Sequence, residues 1–151
     1  MSEVTIRSIE HATFVIERTY PATKERVFAG FADKEQKAKW FSDGSPATQW
    51  DFDFREGGKE YSSGEYMGQV HTFDATYLEI VENERLVWAY NMYVNGVKLS
   101  SSLTVVELAE VDGSTRITFT ETGAFYDGHE EPSLREAGSD HILDALGASL
   151  A

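Results

Sequence analysis

The chain opens with an alternation of apolar and polar residues. Phe14, Ile16 and Tyr20 fall between Thr13, Glu17 and Thr19, which predicts a strand from His11 to Tyr20, ended by Pro21. From Thr23 to Phe31 the period becomes helical, with Val27, Phe28 and Phe31 on one face. Asp33 opens a second short helix, with Gln36 at capping-box spacing. This helix runs into Trp40 and Phe41 before the Asp43-Gly44-Ser45-Pro46 cluster stops it. Trp50, Phe52 and Phe54 then alternate with Asp51, Asp53 and Arg55, the clearest half-buried strand in the chain. Gly57-Gly58 is a turn. Strands over Tyr61–Met67 and Thr72–Val81 follow, with Gly64 and Gly68 as bends or bulges. After a turn at Asn83-Glu84, Leu86, Trp88, Tyr90 and Met92 share one strand face. Asn95-Gly96 and Asp112-Gly113 are hairpin signals around strands over Leu99–Leu108 and Thr115–Thr122.

The last element is a helix from about Ser133 to Leu150. Leu134, Gly138, Ile142, Ala145, Leu146 and Leu150 fall on one broad side, and Glu136, Asp140 and Asp144 on the other. Ala137, Gly138, Ala145 and Ala148 gather on the inner side, where a helix that only plugged a core would carry larger groups. The order is a strand, two helices, about six antiparallel strands and a long helix. It predicts an α+β fold of an antiparallel sheet and a long C-terminal helix, whose small-residue side points to a cavity. No repeat or linker divides the sequence, so residues 1–151 read as one domain.

Composition narrows the function. Cysteine is absent, which excludes disulfides, thiolate metal sites and cysteine nucleophiles and fits a reducing compartment; a cytoplasmic location is expected. The N-terminal residues show no secretory signal, and no apolar run is long enough for membrane insertion. A formal net charge of -13 repels phosphate backbones, so nucleic acid is not an expected partner.

The chemistry on offer is that of an aromatic pocket. Trp50, Phe52, Tyr61, Tyr66, Trp88, Tyr90, Met92 and Phe119 are candidates for its wall, although strand periodicity alone would bury them in an ordinary core. Gly138, Ile142 and Ala145 would face it from the helix. Glu121 shares a strand face with Phe119 and Ile117. It is read either as an anchor or general base in the pocket, or as one half of a strand-end salt bridge with Arg135, at the cavity edge. His141 falls beside Ala137, Gly138 and Ala145, and reads equally as a cavity residue or a helix-edge one. None of the four histidines has a partner at metal-ligand spacing. The loop Asp127-Gly128-His129-Glu130-Glu131 reads as solvated and acidic. The glycine-rich stretches lack the Gly-Lys-Ser/Thr of a phosphate loop. No metal, no cofactor and no assignable catalytic residue is expected.

Taken in order, these segments resemble the START-like, helix-grip superfamily also called SRPBCC, and within it the family named for activators of the heat-shock-protein-90 ATPase. "VIERTYPATKERVFAGFADKEQKAKWF" resembles that family's opening strand, helix pair and tryptophan, and "FDFREGGKEY" its Arg-x-Gly-Gly hairpin. "ATYLEIVENERLVWAY", "DGSTRITFTETG" and "REAGSDHILDALGASL" resemble the next strand pair, the final strand and the closing helix. The resemblance implies the birch-pollen-allergen-like helix-grip fold and a cavity between sheet and helix. It leaves three functions open: a module binding an apolar or aromatic small molecule, a cyclase- or hydrolase-type enzyme using the same cavity, and a chaperone-interaction domain. A homodimer is compatible with all three. In one respect the chain departs from the family. Where a tryptophan often follows the glycine of the last helix, Gly138 is followed by Ser139, so the cavity is expected to be wider or wetter there.

Overall fold

The computed structural model describes residues 6–41 and 49–151. Its elements in chain order are β1 (Ile9–Tyr20), α1 (Lys24–Ala32), α2 (Lys34–Lys37), β2 (Gln49–Phe52), β3 (Lys59–Tyr66), β4 (Gln69–Val81), β5 (Arg85–Val94), β6 (Val97–Val111), β7 (Ser114–Tyr126) and α3 (Pro132–Ser149). The strands form one antiparallel sheet in the order β1-β7-β6-β5-β4-β3-β2. Strands β2 to β7 are a simple meander, and β1 returns to pair with β7, so the two helices between β1 and β2 cross from one edge of the sheet to the other.

Local chemistry sets these boundaries. Thr23 caps α1 by accepting a hydrogen bond from the Arg26 amide (3.1 Å), and Asp33 caps α2 by accepting from the Glu35 amide (2.9 Å). Gln36 does not close the capping box; its Oε1 accepts from Lys39 Nζ instead. The Asp43-Gly44-Ser45-Pro46 stop lies outside the described residues. Both residues of Asn95-Gly96 and of Asp112-Gly113 take positive φ, as a two-residue type I′ hairpin turn requires. Met67-Gly68 forms a third such turn, so the third strand ends at Tyr66 and not at Met67. Gly64 stays within β3, paired with His71. Register shifts at Tyr77/Glu79 and Met92/Tyr93 add local twist and help to curve the sheet.

Helix α3 seats on the concave face beside β1. Leu143 and Leu146 are almost wholly buried, and the Tyr20 hydroxyl donates to the Leu143 carbonyl (2.7 Å). Arg18 ties the helix flank to β1 through Asp140 (2.7 Å) and Asp144 (3.1 Å), two of the three acidic residues that the sequence puts opposite the apolar side. Arg26 donates to the Ser149 carbonyl at the helix C-terminus. Among the described residues, no helix is long and apolar enough to cross a membrane.

The helix is rotated relative to the sequence reading. Its buried stripe is Ser139, Leu143 and Leu146, with Ile142 and Leu150 half-buried, whereas Leu134, Ala137, Gly138, His141 and Ala148 are exposed. The reason is geometric. An i, i+4 row drifts about 40° per step around a helix, so the line Leu134–Gly138–Ile142–Leu146–Leu150 is in the core only at its C-terminal end. The small residues that suggested a cavity lie largely on the outer side, with Ala145 alone of them packed partly against the core.

This rotation makes two glycines of one helix respond oppositely to a methyl group. A Cβ at Gly138 meets nothing within 4 Å, so Gly138→Ala should stabilise the fold by roughly 0.5–1 kcal/mol through helix propensity alone. A Cβ at Gly147 lies 2.8 Å from Tyr20 Cε1, on a ring held by its own hydrogen bond. Gly147→Ala should therefore destabilise by about 1–3 kcal/mol through overpacking. Urea denaturation of the two variants beside the parent checks the opposite signs; equal shifts would refute the seating described here.

Candidate functional site

Between the concave sheet face, α3 and the α1–α2 segment lies a small, partly open cavity of about 80 Å³. Register explains which strand residues reach it. In an antiparallel sheet, directly opposed residues point to the same face. The pairs Ala75↔Tyr90, Tyr77↔Trp88, Thr104↔Glu121 and Phe14↔Glu121 therefore put Tyr90, Trp88 and Glu121 on the concave side. Phe73, Trp88, Tyr90 and Phe119 line the sheet wall. Phe31, Trp40 and Phe41 close it from the α1–α2 side, and Ser139, Ile142 and Leu143 from α3. The rings form a continuous set: Phe73 packs on Tyr90 at 4.8 Å between centroids, Phe31 on Trp40 at 5.1 Å and Trp88 against Phe119 at 6.3 Å. Among the described residues Trp88 Nε1 has no hydrogen-bond partner; the atom is enclosed by packing and does not open on the cavity.

Two polar clusters interrupt the apolar lining. The first centres on Glu121, 2% exposed. Tyr90 OH donates to its Oε2 (2.8 Å) and Thr104 Oγ1 to its Oε1 (3.2 Å). Arg135 reaches in from α3. Its Nη1 donates to Tyr90 OH (2.9 Å) and lies 3.6 Å from Glu121 Oε2, while Nη2 donates to Ser100 Oγ (2.8 Å) and Nε pairs with Glu130 (2.8 Å). The expected Glu121–Arg135 pair is therefore present, bridged by a phenol, with the guanidinium over the Tyr90 and Phe125 rings. Burial pushes the Glu121 carboxyl above its ordinary value, against the pull of Arg135, Tyr90 and Thr104. Burial likewise pushes the Tyr90 phenol up, reinforced by the neighbouring carboxylate.

The second cluster was not visible in the sequence. Glu60, 1% exposed, accepts from Lys37 Nζ (2.5 Å) and Tyr77 OH (2.5 Å) at Oε1 and from Trp50 Nε1 (3.0 Å) at Oε2. Lys37 lines the cavity itself, with its ammonium 4.5 Å from the Phe41 ring centre and 5.2 Å from that of Phe52. Burial lowers the Lys37 pKa, opposed by Glu60. A signal for Lys37 did exist: it stands three and four residues before Trp40 and Phe41, on the helix face that carries those rings inward. For Glu60 the pattern pointed the wrong way, since Tyr61 is the more apolar neighbour and only the hairpin register decides which of the two turns in.

The structure thus sorts the expected site residues. Trp88, Tyr90, Phe119, Glu121 and Ile142 line the cavity, and Arg135 borders it through Tyr90. Trp50 and Phe52 stand behind it, holding Glu60 and packing against Tyr77 respectively. Met92 shares the concave face, opposite Phe73 and Ser100. Tyr61, opposite Asp51 and Asp74, lies on the other face from Glu60, and Tyr66 is exposed beside His71 at the hairpin end. Gly138 and His141 are exposed and outside the lining, because the helix is rotated as described, and Ala145 packs toward the core. Ser139, the residue where the family often carries tryptophan, is in the cavity wall. Among the described residues, no group of three or more His, Asp or Glu side chains could hold a metal ion.

Comparison with known proteins gives the family and the fold. The sequence pattern of the family described as Activator of Hsp90 ATPase homolog 1-like protein matches residues 21–151. A crystal structure of a Rhizobium loti protein is 44% identical, covering 94% of this chain and 99% of that one, with a TM-score of 0.89. A Rhizobium leguminosarum protein is 39% identical over 97% and 98%, with a TM-score of 0.93. The CalU16 protein of Micromonospora echinospora shares the fold at 20% identity and a TM-score of 0.65, covering 99% of this chain and 87% of that one. No curated protein matches the chain.

The raised Glu121 pKa carries a definite sign. The folded chain holds this proton above the pH at which the unfolded chain releases it, so the group favours folding at low pH. That contribution is lost as pH rises from about 4.5 through the raised folded value. Glu121→Gln should flatten the fall in stability over that range, seen in urea denaturation at a series of pH values. Arg135→Met should raise the Glu121 pKa further by removing the opposite charge; a carboxyl carbon NMR titration that does not move would dissolve the coupling.

Proposed function

The chain belongs to the Activator of Hsp90 ATPase homolog 1-like protein family, and from its site we propose that it binds an apolar, aromatic-sized small molecule in the cavity between sheet and α3, as a carrier, sensor or sequestering protein. The observation that carries this reading is a partly open void whose wall is aromatic or aliphatic except for Lys37, Glu121 and Ser139. A ligand with an aromatic frame would fill the void against these rings, with a polar function toward Lys37 or Glu121. Ser139 in place of a large side chain supports the same reading, because it leaves the α3 side of the cavity open.

A second reading is an enzyme working in the same space. It is favoured by the Glu121 carboxyl, held above its ordinary pKa at the wall beside the Tyr90 phenol, a pair suited to proton transfer. Loss of turnover in Glu121→Gln, with binding retained, would select it. A chaperone-interaction role is suggested by the family's description, and co-elution with the chaperone at moderate salt is its test.

The binding reading is tested at Ser139. Ser139→Leu places an apolar side chain in the void, so it should leave the thermal midpoint unchanged or raise it, through newly buried apolar surface. It should also weaken a naphthyl probe at least tenfold, read by calorimetry, and abolish any small molecule that native mass spectrometry finds retained by the parent. Unchanged probe affinity in a folded Ser139→Leu variant would place binding elsewhere or nowhere.

A further inference from the structure

Lys37 carries the amine of the cavity wall, and its surroundings are those of a reactive group as much as of a structural one. The residue is 5% exposed, yet it lines the void and is not walled off behind it. Nζ has a carboxylate at 2.5 Å (Glu60 Oε1) and a phenol at 3.3 Å (Tyr77 OH). The flanking Phe41 and Phe52 rings exclude water from the amine. A buried ion pair contributes little to stability compared with apolar residues of the same size, so stability alone gives no reason for this one to face a cavity. Desolvation is also what makes a lysine nucleophilic near neutral pH.

We propose that Lys37 captures aldehydes or ketones of aromatic ligands as a reversible imine. This rests on the reading of the cavity as a ligand site and names the ligand class it takes. Glu60 accepts a proton from the Lys37 ammonium, and the freed lone pair attacks the carbonyl carbon. The C–N bond forms while the carbonyl π pair moves to oxygen, which takes a proton from Tyr77 OH. The phenol recovers its proton from the new N–H. Glu60 then returns its proton to the carbinolamine hydroxyl, the C–O bond breaks, water leaves, and C=N closes as a protonated imine beside the Glu60 carboxylate. No electron is gained or lost, and hydrolysis reverses every step.

The experiment uses the whole chain, 2-naphthaldehyde as the carbonyl probe and 2-naphthylmethanol as its non-carbonyl counterpart. Limiting aldehyde is added with sodium cyanoborohydride near neutral pH, and the reduced adducts are mapped by peptide mass spectrometry across the six lysines, Lys24, Lys34, Lys37, Lys39, Lys59 and Lys98. The expected result is labelling of Lys37 at least tenfold above every other lysine, suppressed by excess 2-naphthylmethanol. Binding of 2-naphthylmethanol together with adducts confined to the exposed lysines would overturn the imine and leave the cavity reading standing. Absence of both 2-naphthylmethanol binding and the Lys37 adduct would overturn both.

Discussion

A curved sheet of seven strands presents more concave surface than one helix of 18 residues can cover, and the rest of the structure follows from that mismatch. Helix α3 settles against β1, fixed by Leu143 and Leu146 below and by Arg18 and Tyr20 at its flank. What remains uncovered is the middle of the sheet, over β4 to β7. The short helices cover part of it with Phe31, Trp40 and Phe41, and rings from both sides meet edge to face without filling the space. Close-packed interiors leave few voids larger than a water molecule, so a void bounded by this many rings marks a place that the described residues do not fill.

The same geometry explains why two carboxylates lie buried with cations at the two polar places of the lining. Glu121 and Glu60 sit on concave-facing strand positions that register forces inward. Each must therefore be satisfied inside, and each is: Glu121 by Tyr90, Thr104 and, across the phenol, Arg135 from α3; Glu60 by Lys37 from α2, Tyr77 and Trp50. The two cations arrive from different helices. Each ion pair thus also fixes a helix against the sheet, so the outline of the cavity and its electrostatics are held by the same contacts. Removing one partner would leave the other charge buried and alone, the costly case for a low-dielectric interior.

The wall is polarised accordingly. The lining is aromatic on most sides, with the desolvated Lys37 amine at one place and the Glu121 carboxyl, held above its usual pKa, at another.

The element order was legible in the sequence because it rests on local rules. Strand alternation in Phe14–Ile16 and Trp50–Phe52, positive-φ turns at Asn95-Gly96 and Asp112-Gly113, and caps at Thr23 and Asp33 each need only a few neighbouring residues, and the order of these segments matched a known fold. Part of the site was legible for the same reason: once Phe119 faces inward, Glu121 must as well, and Trp88 and Tyr90 travel together. The rotation of α3 was not, since its sequence offers an apolar row and a small-residue row and only Leu143 docking on the sheet chooses between them. Nor was Glu60, whose inward turn is set by pairing with Phe52 and Ala75 against the preference of Tyr61. Periodicity tells which residues share a face. Which face is buried, and which distant charge waits there, depends on contacts between segments far apart in the chain, and those the tertiary structure alone decides.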